Sequence, residues 1–265
     1  MDSVSSKPPQ ALQDLVESVW AGERDFLSEG AVDLTPGATV DLVFWVGAPL
    51  FVTDGHQSRS LDSPYYLGVL PGPARLAGAG ITRSAGMRLL PWGAAALFPG
   101  GPVEDCAPWT TEVHAALQKR DAAAAVGVIT RRLAARTPRG LPAWSETARR
   151  VREESLYYLA AAALAAGIPP WPLQRDFRRL LGEEPETFAL RARFEWARDL
   201  LTRDPDRDPA AIAAETGFSD VTDLSTAFLT YAGTTPGALA RSLRGLRESD
   251  PQSYKLAFPR SGDRK

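Results

Sequence analysis

The sequence is poor in the residues that build redox, metal and membrane sites. Its single cysteine, Cys106, allows no disulfide within the chain and fits a reducing cytoplasm. The two histidines, His56 and His114, lie far apart and form no His-x-His pair, so we expect neither a metal nor a cofactor. No apolar run approaches the roughly 20 residues that span a bilayer, and the N-terminus lacks the pattern of a secretion signal. We therefore expect a cytoplasmic protein that does not bind membranes.

Motifs of catalysis are missing as well. No Walker loop, GxGxxG motif or serine-centred nucleophile elbow stands out in the sequence. Cys106 follows Glu104 and Asp105, which would raise the pKa of its thiol rather than activate it. We expect that the protein is not an enzyme.

A basic excess is also lacking. The 265 residues include 30 basic and 32 acidic side chains, for a formal net charge of −2. Up to Thr147 the chain has 12 basic and 15 acidic residues, and after it 18 and 17. DNA-binding domains usually carry a basic excess, because neutralising phosphates supplies most of their affinity. Any binding to DNA must therefore depend on the local placement of arginines.

The first hundred residues have the pattern of short β-strands. Apolar or alternating runs at residues 40–46 and 65–70 are separated by turn-forming residues at 35–37, 53–55 and 70–73. Such spacing is typical of a small antiparallel barrel or sandwich.

The remainder of the chain has helical periodicity. Residues 111–135 are rich in alanine, without proline, and predict a helical segment, which the prolines of 138–142 interrupt. We predict an α+β protein with a β-rich regulatory domain at 1–138, a helical domain at 143–247 and a tail at 248–265.

A first helix-turn-helix pattern is centred on Gly167. An alanine-rich helix precedes this glycine, which can adopt the left-handed conformation that ends a helix. The next helix has prolines in its first turn, where their missing N–H costs little. Its apolar side should face the core and carries Leu173, Phe177 and Leu180 or Leu181. Its opposite side combines groups that read bases with groups that hold phosphates: Trp171, Gln174, Arg175, Arg178 and Arg179.

A second pattern of the same kind surrounds Gly217. Ser219 is a good N-cap for the following helix, whose predicted buried stripe is Val221, Leu224, Phe228 and Tyr231. A long amphipathic helix at 188–201 would hold the two units apart. Two recognition helices about one DNA turn apart would enter successive major grooves.

The helical part resembles the AraC/XylS family of bacterial transcription regulators over residues 149–247. The motifs that carry the resemblance are Ile212-Ala213-x-x-x-Gly217-Phe218-Ser219-Asp220, followed by Leu224, Phe228, Gly233, Thr235 and Pro236; Arg193-x-Glu195-x-Ala197-x-x-Leu200-Leu201; and Trp171-x-Leu173-Gln174-Arg175-x-Phe177. The resemblance implies a regulator that binds double-stranded DNA through units at about 159–181 and 209–231. The contacts it implies are Trp171, Gln174, Arg175, Arg178 and Arg179 in the first unit, and Ser219, Thr222, Ser225 and Thr226 in the second.

The sequence departs from the family in both units. Residues 218–232 contain two aspartates and no lysine or arginine, and Pro169 replaces the usual serine cap of the first recognition helix. We hypothesise that the first unit carries most of the affinity. Two alternatives stay open. In the first, Arg178 and Arg179 pair with Glu183 and Glu184 as readily as with phosphate. In the second, the protein is a degenerate family member that binds a ligand or a protein without strong DNA binding.

The N-terminal part resembles a sensor-like domain found ahead of AraC-type domains. The matching segments are Leu34-Thr35-Pro36-Gly37-x-x-x-Asp41-Leu42-Val43-Phe44, Gly68 with 71–73, and residues 85–97. This resemblance implies a cupin-like β-fold followed by helices, with a small-molecule effector or homodimerisation as its role. Candidate ligand contacts are Trp45, Tyr66, Arg88 and Trp92 in an aromatic pocket with Phe51 and Tyr65. The alternatives are core aromatics and a salt bridge from Arg88 to Asp41.

Overall fold

The structure is a computed structural model that describes residues 1, 3–34, 39–54, 57–67, 72–99, 101–141, 143–154, 163, 166–181 and 184–249. Within the helices, the side chains of residues 151–154, 176, 179–181, 246 and 249 are not among those described. In this part of the chain no helix combines the length and the apolar composition that a bilayer crossing needs.

The N-terminal part forms two antiparallel sheets. The strands are β1 (Val4–Ser6), β2 (Val16–Asp25), β3 (Val32–Leu34), β4 (Val40–Gly47), β5 (Leu50–Asp54), β6 (Gln57–Ser60), β7 (Tyr65–Leu67), β8 (Ala74–Gly78) and β9 (Ile81–Leu89). One sheet has the order β1-β2-β9-β4-β7 and the other the order β3-β8-β5-β6. Strands predicted at 40–46 and 65–70 are confirmed as β4 and β7, although 68–70 lie outside the described residues.

Alternation of side chains along β4 explains how the sheets pack. Leu42 and Phe44 point toward the helices and are buried, whereas Val43 points toward the second sheet. Among the described residues, no strand of one sheet pairs with a strand of the other. The expected barrel-or-sandwich fold is therefore a sandwich with helices on one outer face, and the closed-barrel alternative is wrong.

Helices follow the sheets in the described part of the chain. They are α1 (Phe26–Glu29), which lies between strands, then α2 (Pro91–Leu97), α3 (Pro102–Cys106), α4 (Thr110–Gln118), α5 (Ala122–Ala134), α6 (Ser145–Glu154), α7 (Pro170–Leu181), α8 (Pro185–Arg203), α9 (Pro209–Thr216), α10 (Val221–Ala232) and α11 (Pro236–Ser249). The predicted α+β order is confirmed. Of the predicted tail, only 248 and 249 are described, and they end α11.

The helical segment expected at 111–135 is interrupted. Arg120 has a φ of +59°, a left-handed conformation in which a right-handed helix cannot continue. Its guanidinium donates to Glu23 of β2 at 2.9 Å, so a tertiary contact accompanies the turn. Asp121 then caps α5 by accepting from the N–H of Ala124 at 2.8 Å. The segment is therefore two helices, α4 and α5.

One hydrophobic core runs from the sandwich into the helical part. It includes Phe44 and Met87 of the sheet, Ile129 of α5, and Phe177 and Phe188 of α7 and α8. A second cluster belongs to the last helices and contains Phe194, Ala197, Leu201, Ile212, Phe218, Leu224, Phe228 and Tyr231. The division at 138–142 stays a prediction, since the first core extends across it.

Candidate nucleic-acid interface

The first turn has the geometry predicted from its glycine. Gly167 has a φ of +74°, and the N–H groups of Ala166 and Ile168 donate to the carbonyl oxygen of Ala163 at 3.1 and 2.8 Å. These bonds satisfy a carbonyl that a helix end leaves without a partner. Apart from Ala163 and Ala166, the chain between 155 and 166 lies outside the described residues.

The inner side of α7 is anchored in the first core. Leu173 and Phe177 are fully buried, as predicted. The ring of Phe177 lies 4.7 Å from that of Trp144 and 5.4 Å from that of Phe188, centroid to centroid. Helix α2 of the β-rich part also packs against α7. The β-rich part therefore contacts α7, and the side of α7 that faces the first core is buried.

The outer side of α7 brings the predicted contact residues together. Trp171 is 66% exposed, and the guanidinium of Arg175 lies over its indole ring, 4.9 Å from the centroid. Gln174 is half-buried, and Arg175 and Arg178 are exposed. We call the group that lines this shallow hollow the first surface: Trp171, Gln174, Arg175 and Arg178. Stacking on the indole limits the rotamers of Arg175 and so prepares its planar donors for an acceptor.

Arg178 illustrates one of the open alternatives. Its guanidinium forms a salt bridge with Glu184, the residue before α8. Exposed pairs of this kind contribute little, about 0–1 kcal/mol, so the arginine can exchange its carboxylate for a phosphate. The side chain of Arg179, and Glu183, lie outside the described residues.

The second turn is held by an arginine of the linker helix. Gly217 has a φ of +77°, as its position at the end of α9 predicts. Arg193 of α8 donates to the carbonyl oxygen of Gly217 at 3.0 Å, and its guanidinium lies 5.3 Å from the ring centroid of Phe218. The sequence identified Arg193 only through the family resemblance. Its contact with a turn 24 residues away could not be read from periodicity.

The predicted cap of the second recognition helix is wrong. Asp220, not Ser219, is the N-cap, and its carboxylate accepts from the N–H of Asp223 at 2.8 Å. The carboxylate of Asp223 in turn accepts from the N–H and the hydroxyl of Ser219 at 3.1 and 3.2 Å. This arrangement is a variant of the capping box, in which the second carboxylate bonds the residue before the N-cap instead of the N-cap itself. Both carboxylates therefore stabilise the helix start, where the positive end of the helix dipole favours them.

The buried stripe of α10 is confirmed in three of its four positions. Leu224, Phe228 and Tyr231 are buried, and Phe194 of the linker helix contacts the last two through ring pairs with centroid distances of 5.1 and 5.3 Å. Val221 was expected there too but is 39% exposed. Val221 is the first residue of α10, where the chain enters the helix and residues 219–222 are all exposed.

The outward side of α10 carries the predicted polar contacts. Thr222 and Thr226 are exposed and Ser225 is half-buried. With Leu229, which is 54% exposed, they share one helix face, which we call the second surface: Thr222, Ser225, Thr226 and Leu229. Ser219 precedes the helix and is also exposed. No member of this face is charged.

The candidate ligand residues of the β-rich part are not brought together. Trp92 is buried, and its indole N–H donates to the carbonyl oxygen of Asp14 at 2.7 Å. Tyr66 packs against the first core, whereas Trp45 packs against a cluster between the sheets. Strand alternation places Trp45 on the opposite face of the sheet from Tyr66. Arg88 makes the alternative contact, a bidentate salt bridge to Asp41 at 3.0 and 3.1 Å.

A different cavity lies between the two sheets, with a volume of about 140 Å³. Of the predicted aromatics, Tyr65 lines it. Burial, followed by the charge of Asp41, raises the pKa of Tyr65 well above its ordinary value. The sequence did not indicate Trp20, Leu34, Val52 and Leu76, which also line the cavity together with the Asp41–Arg88 pair.

Arg88 also borders an open cleft against the linker helix. The cleft is lined by Glu17 and Thr39 from the β-rich part and by Glu195, Trp196 and Asp199 from α8. Burial lowers the pKa of the Arg88 guanidinium, but Asp41, Glu17 and Glu195 outweigh that effect, so its net pKa is raised. The Arg88 side chain thus lines both the cavity between the sheets and the cleft beside the linker helix.

Cys106 and His114, which were considered for catalysis and metal binding, lie in structural environments. Burial raises the pKa of the Cys106 thiol; the charge of Arg136 opposes this effect and that of Asp105 adds to it. His114 accepts or donates a 2.8 Å hydrogen bond at the hydroxyl of Ser63. Within the described ranges, no three His, Cys, Asp or Glu side chains are grouped as a metal site would require.

Residues 162–242 match a family model that is described as a helix-turn-helix domain and is of the AraC type. This match confirms the family resemblance predicted for that segment. No curated protein matches the chain. Among solved structures, the chain is similar to the DNA-binding domain of AdpA, a global transcriptional factor crystallised with a target DNA. The two sequences are 22% identical and the TM-score is 0.36; the similarity covers 41% of this chain and 96% of that one. ToxT from Vibrio cholerae is 11% identical with a TM-score of 0.45, covering 83% and 98%. Both TM-scores are below 0.5, so neither similarity supports an inference of function.

Proposed function

We propose that this protein is a transcription regulator that binds double-stranded DNA, with α7 and α10 entering the major groove. The observation that carries the proposal is the first surface: an exposed indole, a glutamine and two arginines on the outer side of a helix whose inner side is buried. The helix-turn-helix match over residues 162–242 supports the assignment of α7 and α10 as recognition helices.

The two units would divide the binding free energy unequally. Gln and Arg make bidentate contacts with adenine and guanine, and a guanidinium also neutralises phosphate. The first surface contains these groups, and we include Arg179 from the sequence pattern. The second surface, with Ser219 before it, contributes neutral contacts through Thr222, Ser225 and Thr226.

A salt titration tests the proposal. Full-length protein would be titrated with DNA fragments enriched by the protein from a random pool, at a series of salt concentrations. Four to six phosphate contacts, about the number that one such domain offers, predict a slope near −0.9 per contact in log affinity against log salt. The double variant Arg175→Ala/Arg178→Ala should reduce the slope. Undetectable binding even at low salt would favour the alternative, a module that binds a ligand or a protein without binding DNA strongly.

We further propose that a small apolar molecule controls the protein from the cavity between the sheets. A cavity of 150 Å³ in another protein holds benzene, so the present cavity of about 140 Å³ has the size of one ring. Asp41 already satisfies Arg88 with two hydrogen bonds, which favours a neutral ligand over an anionic one. Arg88 and Glu195 of the linker helix line the same cleft, so movement of Arg88 would change the charge that Glu195 faces.

Benzene is a suitable probe of this cavity, and benzoate is its charged counterpart. Benzene should raise the Tm of the wild type, because a ligand that binds only the folded state stabilises it. Leu76 of β8 is half-buried and lines the cavity, so Leu76→Phe should fill the cavity and abolish the Tm shift. Equal shifts in the wild type and the filled variant would contradict the proposal. A change in DNA affinity on adding benzene would connect the cavity to regulation.

A further inference from the structure

The second surface differs chemically from the first, because it presents hydrocarbon. Among residues 221–232, the only charged side chain is Asp223, and its carboxylate is occupied at the helix start. Val221 and Leu229 expose apolar side chains at the two ends of the outer side. A helix that only positions the protein on phosphates would carry donors, whereas these apolar groups suit contacts with the apolar groups of base edges.

Two threonines of α10, Thr226 and Thr230, direct their hydroxyl groups back toward the helix. The hydroxyl of Thr226 donates to the carbonyl oxygen of Thr222 at 2.9 Å, and that of Thr230 donates to the carbonyl oxygen of Thr226 at 2.9 Å. The hydroxyl and the methyl of threonine occupy different staggered positions on one carbon. A hydroxyl held against the backbone therefore leaves the methyl group as the part of exposed Thr226 that faces outward.

We propose that the second unit recognises the C5-methyl groups of thymine, with the methyl of Thr226 as the principal contact. The proposal rests on the proposed function and names the kind of half-site that α10 reads. In the major groove the thymine methyl is the only apolar group of a base edge, and a threonine methyl is a known type of partner for it. The protein would thus bind an asymmetric site: guanine and adenine contacts for α7, and a thymine-rich half-site about one turn away for α10.

The position of Thr226 favours this role over a protein contact at the same face. It lies one turn after Thr222, on the half of α10 that a recognition helix directs into the groove. The other end of the helix is next to the β-rich part: a Cβ added at Gly72 would lie 3.6 Å from the carbonyl oxygen of Thr230. Thr230 is thus an exposed threonine of the same helix in a different environment, and it provides a matched control.

Uracil substitution tests the proposal, because uracil differs from thymine only in lacking the methyl group. Full-length protein would first select DNA from a random duplex pool, and each thymine of the selected site would then be replaced singly by uracil. Loss of one buried methyl contact should weaken binding about four-fold. Replacements in the half-site read by α10 should do so, and those in the flanks should not.

Two substitutions at one position separate methyl from hydroxyl. Thr226→Ser removes the methyl and should weaken binding to the thymine site about four-fold, with no further loss on uracil DNA. Thr226→Val removes the hydroxyl, keeps the methyl and should bind as the wild type does. Thr230→Ser should change neither value.

The outcomes distinguish this proposal from the one on which it rests. Selection of no DNA at any salt concentration would overturn the proposed function itself. Selected DNA whose affinity is the same with thymine and uracil would overturn the methyl contact alone. A loss in Thr226→Val as large as that in Thr226→Ser would also overturn it, since the hydroxyl would then be the contact.

Discussion

The two helix-turn-helix units each have a turn glycine and a buried apolar stripe, yet they differ in the described side chains that face outward. The first exposes Trp171, Arg175 and Arg178, and its inner side belongs to a core shared with the β-rich part. The second exposes threonine methyls and Leu229, and it packs in a cluster of its own. The difference teaches that two copies of one architecture can divide their work. In our proposal, one unit supplies charge and the other supplies a surface for apolar contacts.

The largest expected effect concerns the two cores. Phe177→Ala should destabilise the first core by about 3–5 kcal/mol, because the vacated ring space borders Trp144 and Phe188. Phe228→Ala should cost a similar amount but only in the second cluster. Thermal unfolding followed by tryptophan fluorescence and by circular dichroism would separate the two cases.

Fluorescence should report an early transition for Phe177→Ala, since Trp92, Trp109 and Trp144 are all part of the first core. For Phe228→Ala the dichroism should fall first while that fluorescence is retained. Identical unfolding curves for the two variants would mean that the two clusters unfold as one, which would remove this part of the contrast.

The next effect concerns DNA affinity. Arg175→Ala should weaken binding to a selected site by about 1–3 kcal/mol, because it removes a bidentate donor stacked on Trp171. Arg59→Ala removes an arginine from exposed strand β6 and should leave the affinity unchanged. Titrations by fluorescence anisotropy would measure both. A loss from Thr226→Ala as large as that from Arg175→Ala would contradict the proposed asymmetry.

The smallest effect concerns the acidic cap of α10. Asp220→Ala should lower the free energy of unfolding of the second unit by about 1 kcal/mol, since the N–H of Asp223 loses its acceptor. Asp220→Asn keeps an acceptor and should remain close to the wild type. Denaturant titration of both variants measures this. Tighter DNA binding by Asp220→Ala without loss of stability would show that the aspartate faces the groove rather than capping the helix.

Helix positions and their buried sides followed from local patterns. Gly167 and Gly217 predicted the two turns, and the spacing of Leu224, Phe228 and Tyr231 predicted one buried stripe. The cap of α10 was predicted one residue early, because Ser219 and Asp220 are both good cap residues and only the backbone chooses between them. The break at Arg120 was missed, since a tertiary contact with Glu23 accompanies it.

The candidate ligand site shows where pattern reasoning fails. Trp45, Tyr66 and Trp92 are aromatic residues of the same β-rich part, yet the structure distributes them over two packing layers. The cavity is instead lined by residues from both sheets, among them Trp20 and Leu76. Which strands lie opposite one another depends on how the sheets stack, and no local pattern specifies that.

The sequence by itself determined the two helix-turn-helix units and the group of residues on the outer side of α7, because helix periodicity and turn glycines act within a few residues. The tertiary structure alone decided that α7 shares its core with the sandwich and that Arg88 reaches both a cavity and the linker helix. It also decided that Arg193 holds the second turn. These are contacts between distant parts of the chain, whose partners are chosen by packing.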